Sequence, residues 1–348
     1  MPSSRRLVFV AALAPVLLLV ACGGGGGADP TATTSATASP PVSTATPDLV
    51  AATEAAVAPT PACPDPYPDG APYTPEPDEP LRIQPSVRPA ALPRFTPAPL
   101  EIDDELREVV LDLLDEEADH VSIVVKELEG GRGVAHRVNE RYYAASLFKT
   151  WVMLEAYHQQ QAGLLDFGET YVVSDYYADV SLNAGELALC ERVSLDEALR
   201  RMLSVSDNVA AHVVLDRTGA GNVNAAIAGL GLGSSAFTSD GSLPTTAADM
   251  ALLLEAIASR RAVAPEASDA MLGLLSTEAV DDRLPALLPP GTRVAHKTGS
   301  WSSATHDAGI VYSPAGAYVI VVLTDFGFQP EARALIAALS RAVYQHFN

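Results

Sequence analysis

The chain has 348 residues, of which 48% are hydrophobic, and its formal net charge is −21. This length allows one large domain or two ordinary ones, and the composition is sufficient for a sizeable core. The strong negative charge argues against nucleic acid and anionic membrane surfaces as partners, because both are themselves negatively charged.

The N-terminus has the pattern of an export signal. Arg5 and Arg6 precede an apolar run over residues 7–20, which is too short for a comfortable membrane span. The residues from Leu19 to Cys22 resemble the bacterial lipobox, in which the peptide is cleaved before the cysteine and the thiol receives diacylglycerol. The alternative is an ordinary signal peptide with an incidental cysteine. We predict a lipoprotein signal peptide over residues 1–22, lipid on Cys22, and an extracytoplasmic protein anchored to the cell membrane, at the cell surface or in the periplasm.

The next segment, residues 23–100, holds most of the 27 prolines together with many Thr, Ser and Ala residues. It shows almost no regular apolar period, so it cannot bury enough surface to fold. We predict a disordered, semi-extended tether. Its Cys63 either pairs with Cys190 in an oxidising exterior, or both thiols remain unpaired.

From residue 101 onward, apolar periodicity predicts regular elements. A helix is expected from Ile102 to Ala118, followed by strands at 120–128 and 134–138 around a glycine-rich turn. A long helix over 142–161 opens a mostly helical segment that continues to about residue 260. Strands are then expected at 292–300, 307–312 and 317–324, and a helix at 330–347. One sheet built from both ends, with a helical block inserted, predicts an α+β fold of two lobes.

The first motif with chemical meaning is Ser146-Leu147-Phe148-Lys149. In a helix, residues three apart lie on the same face, so the hydroxyl and the amine are neighbours. At a helix N-terminus the dipole favours an alkoxide and helps to keep the lysine neutral enough to accept a proton. Alone, this spacing is a weak signal.

Two further motifs follow, each with an ordinary structural alternative. Ser206-Asp207-Asn208 lies between two predicted helices, where its hydroxyl can relay a proton or the residues can simply cap a helix. Lys297-Thr298-Gly299 lies in a predicted strand and presents a cation and hydroxyls at the rim of a sheet; the alternative is an edge-strand lysine before a turn.

In this order and context, the three motifs together resemble the class A β-lactamases and the penicillin-binding proteins. The resemblance covers residues 101–348 and includes Thr245 to Met250, which open a helix. It implies the β-lactamase/transpeptidase-like fold, with a five-stranded antiparallel sheet flanked by N- and C-terminal helices and an inserted all-α lobe. It also implies a serine hydrolase that forms an acyl-enzyme with β-lactams and hydrolyses their amide bond.

The resemblance assigns the catalytic roles residue by residue. It implies that Ser146 is acylated, that Lys149 is its activating base, and that Ser206 protonates the leaving nitrogen. Lys297 is the fourth catalytic residue, and it would bind the substrate carboxylate.

Substrate binding is implied for the residues beside these. Asn208 would hold the substrate side-chain amide, and Thr298 would join Lys297 in binding the carboxylate. Gly299 would allow a ligand backbone to approach closely, and the backbone N–H groups of Ser146 and Ser300 would form the oxyanion hole. No Lys or Arg lies between Thr298 and residue 333, so carboxylate binding falls to Lys297 and hydroxyls, or to a basic residue elsewhere.

The chain departs from the class A pattern at the step that releases the acyl group. That pattern has a glutamate on a loop before the Thr245 helix start, whereas between Gly219 and Thr245 the only acid is Asp240. Asp240 or Glu186 are candidate substitutes, although both are more typical of surface acids. Because hydrolysis of an acyl-serine needs a base within one water of the ester, we expect acylation to remain and release to be slow.

Two alternatives use the same machinery. One is a D-alanyl-D-alanine carboxypeptidase or endopeptidase that acts on peptidoglycan peptides, and the other is a penicillin- or muropeptide-binding lipoprotein without turnover. The expected partners are a small-molecule β-lactam or D-Ala-D-Ala peptide and the membrane through Cys22, with no nucleic acid, and we expect a monomer. No cofactor is expected, and the seven histidines lack the spacing of a metal site.

Overall fold

The computed structural model describes residues 89–174, 177, 185–326 and 330–348. The predicted signal peptide with Cys22 and most of the predicted tether, including Cys63, lie outside the described residues. Cys190 is disulfide-bonded. None of the helices within the described ranges combines the length and the apolar character that a membrane span requires.

Within the described residues, six strands form the main sheet. They are β1 (Glu101–Ile102), β2 (Val121–Glu127), β3 (Arg132–His136), β8 (Arg293–Trp301), β9 (Ala304–Ser313) and β10 (Gly316–Thr324). Their order is β1-β3-β2-β10-β9-β8. All neighbouring strands are antiparallel except the two-residue β1, which is parallel to β3. The predicted antiparallel sheet built from both ends is confirmed, with β1 as a short addition at one edge.

The outer face of the sheet is covered by the two terminal helices, α1 (Asp104–Leu114) and α8 (Pro330–Phe347). The fully buried helix residues Leu106 and Ile336 belong to one apolar cluster with the strand residues Ile123 and Ile320. The first six residues of β2 are all buried, because both faces of this central strand are covered.

The inner face of the sheet packs on the helical lobe. The helices of this lobe are α2 (Phe148–Gln161), α3 (Leu195–Ser204), α4 (Asn208–Thr218), α5 (Ala220–Leu230), α6 (Ala247–Ala258) and α7 (Pro265–Leu275). Two short strand pairs complete it: β4 (Tyr142–Tyr143) with β7 (Pro244–Thr245), and β5 (Thr170–Val172) with β6 (Arg192–Ser194). One apolar cluster runs from α2 to the inner residues of β9 and β10, so the two lobes share a core.

The predicted helix over 142–161 begins later than expected. Tyr142 and Tyr143 form β4, a 3₁₀ turn occupies Ala145–Leu147, and α2 starts at Phe148. Ala145 has a φ of +47°, which is incompatible with a continuous right-handed helix. Ser146 therefore lies in the turn before α2, and Lys149 is the second residue of the helix.

The packed domain extends N-terminal of Glu101. Leu92 and Phe95 are 7% and 4% exposed and belong to the inner core cluster. The Phe95 amide donates to Leu230 O at 2.9 Å, and Lys126 Nζ donates to Ala98 O at 2.5 Å. Residues 89–100, at the end of the predicted tether, thus contribute to the core.

Candidate active site

The turn that carries Ser146 is held between the two lobes. Its Leu147 is fully buried, and β8 packs directly against it. A Cβ atom at Gly299 would lie 3.0 Å from Ala144 O and 3.2 Å from Leu147 Cγ. The glycine therefore lets β8 approach the serine turn, which differs from the predicted role of admitting a ligand backbone.

Lys149 is fully buried one turn after Ser146. Its ammonium donates to Ser206 O at 2.5 Å, to Ser206 Oγ at 3.0 Å and to Asn208 Oδ1 at 2.8 Å. The structure thus brings the first two sequence motifs together.

The environment of Lys149 suits a base. Burial, followed by the nearby charge of Lys297, lowers the pKa of Lys149 to about 7, against the opposing effect of Glu186 and other acids. The charged ammonium has three donors, and all three are in use. Loss of one proton leaves a lone pair, which can then accept the proton of a nearby hydroxyl.

The Ser206-Asp207-Asn208 turn contributes to the candidate active site and also caps the helix α4. Ser206 has a φ of +57°, a conformation that a residue with a side chain rarely adopts. Asp207 is the capping residue: its carboxylate accepts the Ala210 amide at 2.9 Å and also the Leu187 amide at 2.9 Å. Asp207 is therefore a helix cap, which was the structural alternative for this motif. The residues on either side of it contact Lys149.

The amide of Asn208 is engaged at both ends. Its oxygen accepts from Lys149, and its Nδ2 donates to Glu186 Oε1 at 2.8 Å; the Asn208 backbone amide reaches the same oxygen at 3.0 Å. Among the described residues, the second N–H of this side-chain amide meets no acceptor, and it can bind a substrate carbonyl. Glu186 thus lies within the site, unlike the surface acid that sequence reasoning favoured.

The other candidate acid, Asp240, lies outside the site. It is exposed on a tight turn, where its carboxylate accepts from Thr238 Oγ1 and from the Ser242 amide at 3.0 Å. The hydrogen bond from Thr238 and those from Ser242 lower the pKa of Asp240 to about 2. Such a weak base is unsuited to activating water.

The third motif lies on the strand β8, as predicted, and β8 is an edge strand of the main sheet. Lys297 is fully buried and forms an ion pair with Glu278, whose side chain is also fully buried. The Thr298 amide and Oγ1 lie 3.3 Å and 3.4 Å from the same carboxylate oxygen, Oε2 of Glu278. The residues predicted to bind a substrate carboxylate thus surround a carboxylate of the chain itself.

Ser300 is accompanied by a cation that the sequence did not reveal. Arg283 is buried, and its guanidinium donates to Ser300 Oγ and, at 2.9 Å, to Gly299 O. It also donates to His306 O on β9. A basic residue from elsewhere in the chain thus lies beside β8, but its guanidinium donates to these oxygens of β8 and β9.

Aromatic side chains mark the rim of the cleft. The rings of Tyr143 and Trp301 lie 5.7 Å apart, and Trp301 is 43% exposed. Tyr142, by contrast, is buried, and its hydroxyl accepts from Ser122 Oγ at 3.1 Å.

Glu278 and Arg283 are the functional neighbours that sequence reasoning missed. Both lie in the irregular segment between α7 and β8, where no periodicity indicates which side chains point inward. Glu278 lies 19 residues before Lys297, and this separation alone does not indicate that the two side chains meet. Such a pair is found by three-dimensional packing and not by pattern.

The fold and this constellation define an active-site serine hydrolase of the β-lactamase/transpeptidase type. The model of the β-lactamase enzyme family matches residues 102–347, and the chain belongs to that family. Among curated proteins, the extended-spectrum β-lactamase PER-1 of Pseudomonas aeruginosa is 25% identical over an alignment of 237 residues, which covers 59% of this chain and 75% of that protein.

Solved structures agree on the fold. A β-lactamase of Sphaerobacter thermophilus is 26% identical with a TM-score of 0.64, over 71% of this chain and 98% of that one. PBP-A is 24% identical with a TM-score of 0.67, over 72% of this chain and 99% of that one. The chain is therefore a class A β-lactamase-like protein in sequence and in fold.

Proposed function

We propose that the chain forms an acyl-enzyme with β-lactams through Ser146 and hydrolyses the β-lactam amide bond. The observation that carries the proposal is the buried Lys149, whose pKa is lowered to about 7 one turn after the serine. Family membership and the PER-1 relative support the same chemistry.

In the proposed acylation step, Lys149 is the base for Ser146. As Ser146 Oγ attacks the ring carbonyl, its proton passes to the neutral Lys149 amine. The carbonyl oxygen becomes an oxyanion, for which the Ser146 and Ser300 amides are the proposed donors. The C–N bond of the ring then breaks, and Ser206 Oγ, which Lys149 contacts at 3.0 Å, donates a proton to the leaving nitrogen and regains one from Lys149.

Release of the acyl group is the slower step in this proposal. No glutamate occurs between Gly219 and Thr245, and the Asp240 carboxylate is bound within its own exposed turn. Glu186 is the acid that accompanies Asn208 and Lys149. We assign the activation of the hydrolytic water to Glu186, and we expect this base to give modest turnover.

The test is an incubation of the full chain with a chromogenic cephalosporin over hours, with colour and intact mass followed together. A single covalent adduct on Ser146 with several turnovers per protein is expected, and Ser146→Ala should abolish both. Ser259→Ala, a change at the exposed end of α6, is the matched control and should react like the parent chain. Absence of any adduct in the parent chain would refute the proposal.

The lifetime of the adduct distinguishes the alternatives. Glu186→Gln should lengthen it roughly 100-fold if Glu186 activates the water, because general-base catalysis is worth that much or more. An adduct that never releases, in the parent chain and in Glu186→Gln alike, would instead identify a penicillin-binding protein without turnover. Release of D-alanine from a pentapeptide would identify the peptidase.

The location of the protein is also a proposal. We propose that the chain is exported and anchored to the membrane by lipid on Cys22, on the strength of Arg5, Arg6, the apolar run and the lipobox-like residues. Cys22→Ala should move the protein from the membrane fraction to the soluble extracytoplasmic fraction. An unchanged distribution would contradict lipid anchoring.

A further inference from the structure

Glu278 fills the place in which a substrate carboxylate is expected. One of its oxygens, Oε2, accepts from Lys297 Nζ and lies 3.3 Å from the Thr298 amide and 3.4 Å from Thr298 Oγ1. A lysine, a hydroxyl and a backbone amide together form a binding site for a carboxylate. The chain has thus supplied its own anion to the residues of the third motif.

The fold sets the position of Glu278 between the second and third motifs. The neighbouring Ala279 amide donates to Ser204 O at 2.7 Å, which ties this segment to the end of α3, two residues before Ser206. The Lys297 and Glu278 side chains are both fully buried, and the charge of Glu278 acts on Lys149 across the site. The carboxylate is therefore a component of the reaction centre and not a surface charge.

The pairing changes what the site can attract. Lys297 is neutralised by Glu278, and the guanidinium of Arg283 is directed at Gly299 O, His306 O and Ser300 Oγ. A substrate carboxylate must displace Glu278 from Lys297, and the buried carboxylate of Glu278 then loses the cation to which it is directly bound, which is unfavourable. It would also meet Glu278 as a like charge at close range.

We propose that Glu278 is a specificity-determining residue, which disfavours substrates with a free carboxylate next to Lys297 and Thr298 and favours those with a neutral amide or ester there. The inference rests on the proposed acylation of Ser146. It adds the chemical class of substrate that the same serine accepts.

The experiment compares one β-lactam in two forms, benzylpenicillin and its methyl ester, on the full chain. In Glu278→Gln the amide keeps the size of the side chain and removes its charge. The acylation rate constant for the free acid should rise about tenfold, since a hydrogen bond to a charged group is worth at least that factor. The constant for the ester should stay unchanged. Asp281→Asn is the matched control, because it removes one negative charge three residues away at an exposed position, and it should alter neither constant.

A second measurement separates this inference from the proposed function. In a Ser146→Ala background, calorimetry gives the dissociation constants of both forms without any acylation, and Glu278→Gln should tighten only that of the free acid, again about tenfold. If the parent chain shows no adduct while this tightening is seen, the proposed function fails and the specificity role stands. Equal changes for acid and ester, no change for either, or no measurable binding of either form would overturn the role of Glu278.

Discussion

At the scale of single residues, the site depends on the protonation of one amine. Lys149 has no exposed surface, and its three hydrogen-bond acceptors lie on Ser206 and Asn208. Acceptors stabilise the charged form, whereas burial and the nearby Lys297 oppose it, and the net result is a lowered pKa. A lysine balanced in this way exchanges its proton near neutral pH.

This balance predicts the pH dependence of acylation. The reactive form is the neutral amine, so the acylation rate should rise with pH, reach half its limit at about pH 7 and level off above it. Lys149→Ala should lower the rate roughly 10²- to 10⁴-fold and remove this dependence. Single-turnover acylation rates, measured across the pH range by intact mass, check the expectation. A rate that falls as the pH rises through 7 would contradict the role of Lys149 as base.

Only part of the candidate site can be predicted from the sequence. Ser146 and Lys149 are three positions apart, so any helix-like turn places them on one face, and this part of the site is predictable. The contact of Lys149 with Ser206 spans 57 residues, and only the resemblance to a known family connects the two. Glu278 belongs to no motif, because its burial depends on how the segment after α7 folds back over β8.

At the scale of elements, the strands are determined by the pattern of their apolar residues and by the helices that cover both faces of the sheet. The predicted strands at 292–300 and 317–324 are one residue or less from the observed ends of β8 and β10, since long apolar strands leave few alternatives. The helix α2 starts later than the sequence predicts, because Ala145 has a left-handed φ in the turn that packs against β8, and local propensity does not indicate this conformation. Helix starts at strained turns are set by tertiary structure.

One buried histidine joins three of these elements. His306 on β9 donates through Nε2 to Tyr143 O in β4 at 2.9 Å, and its Nδ1 accepts from the Thr324 amide in β10 at 3.1 Å. Both ring nitrogens are satisfied only in the neutral form. Burial accordingly lowers the pKa of His306 from 6.5 to about 4.

This histidine predicts a loss of stability in mild acid. The folded pKa lies below the unfolded value, so between them the unfolded chain binds more protons, and the free energy of unfolding falls as the pH drops from 6.5 towards 4. Between pH 7 and pH 5 the loss due to this group should be about 2 kcal/mol. Urea unfolding at the two values measures it. In His306→Gln, which keeps a donor for Tyr143 O but does not titrate, the difference between the two pH values should shrink by that amount; an equal difference in both proteins would refute the assignment.

At the scale of the whole molecule, the two lobes and the segment before residue 101 share one core. Sequence composition placed residues 89–100 in the tether, because prolines dominate them and only isolated apolar residues occur. Leu92 and Phe95 are nevertheless buried, and a Cβ at Gly229 would lie 3.1 Å from Leu92 O. An irregular segment has no periodicity that could show which of its side chains are buried, so packing of this kind escapes pattern analysis.

The segment is anchored by charge as well as by apolar contact. Lys126 on β2 donates to Ala98 O at 2.5 Å and pairs with Glu255 of α6 at 2.7 Å, and Glu255 accepts the Ala98 amide at 3.2 Å. The guanidinium of Arg261 lies 4.8 Å from the centre of the Phe95 ring. These contacts join the segment to the sheet and to the helical lobe at once.

We therefore expect Phe95 to contribute to the stability of the entire domain. Phe95→Ala should lower the free energy of unfolding by about 3 kcal/mol, because it removes a buried aromatic ring from a close-packed core. Thr96→Ala, at the exposed neighbouring position, should change it by less than about 0.5 kcal/mol. Urea unfolding of the full chain and the two variants measures both values. If Phe95→Ala unfolds at the same urea concentration as the parent chain, residues 89–100 do not pack on the domain in solution, and the folded domain begins at residue 101.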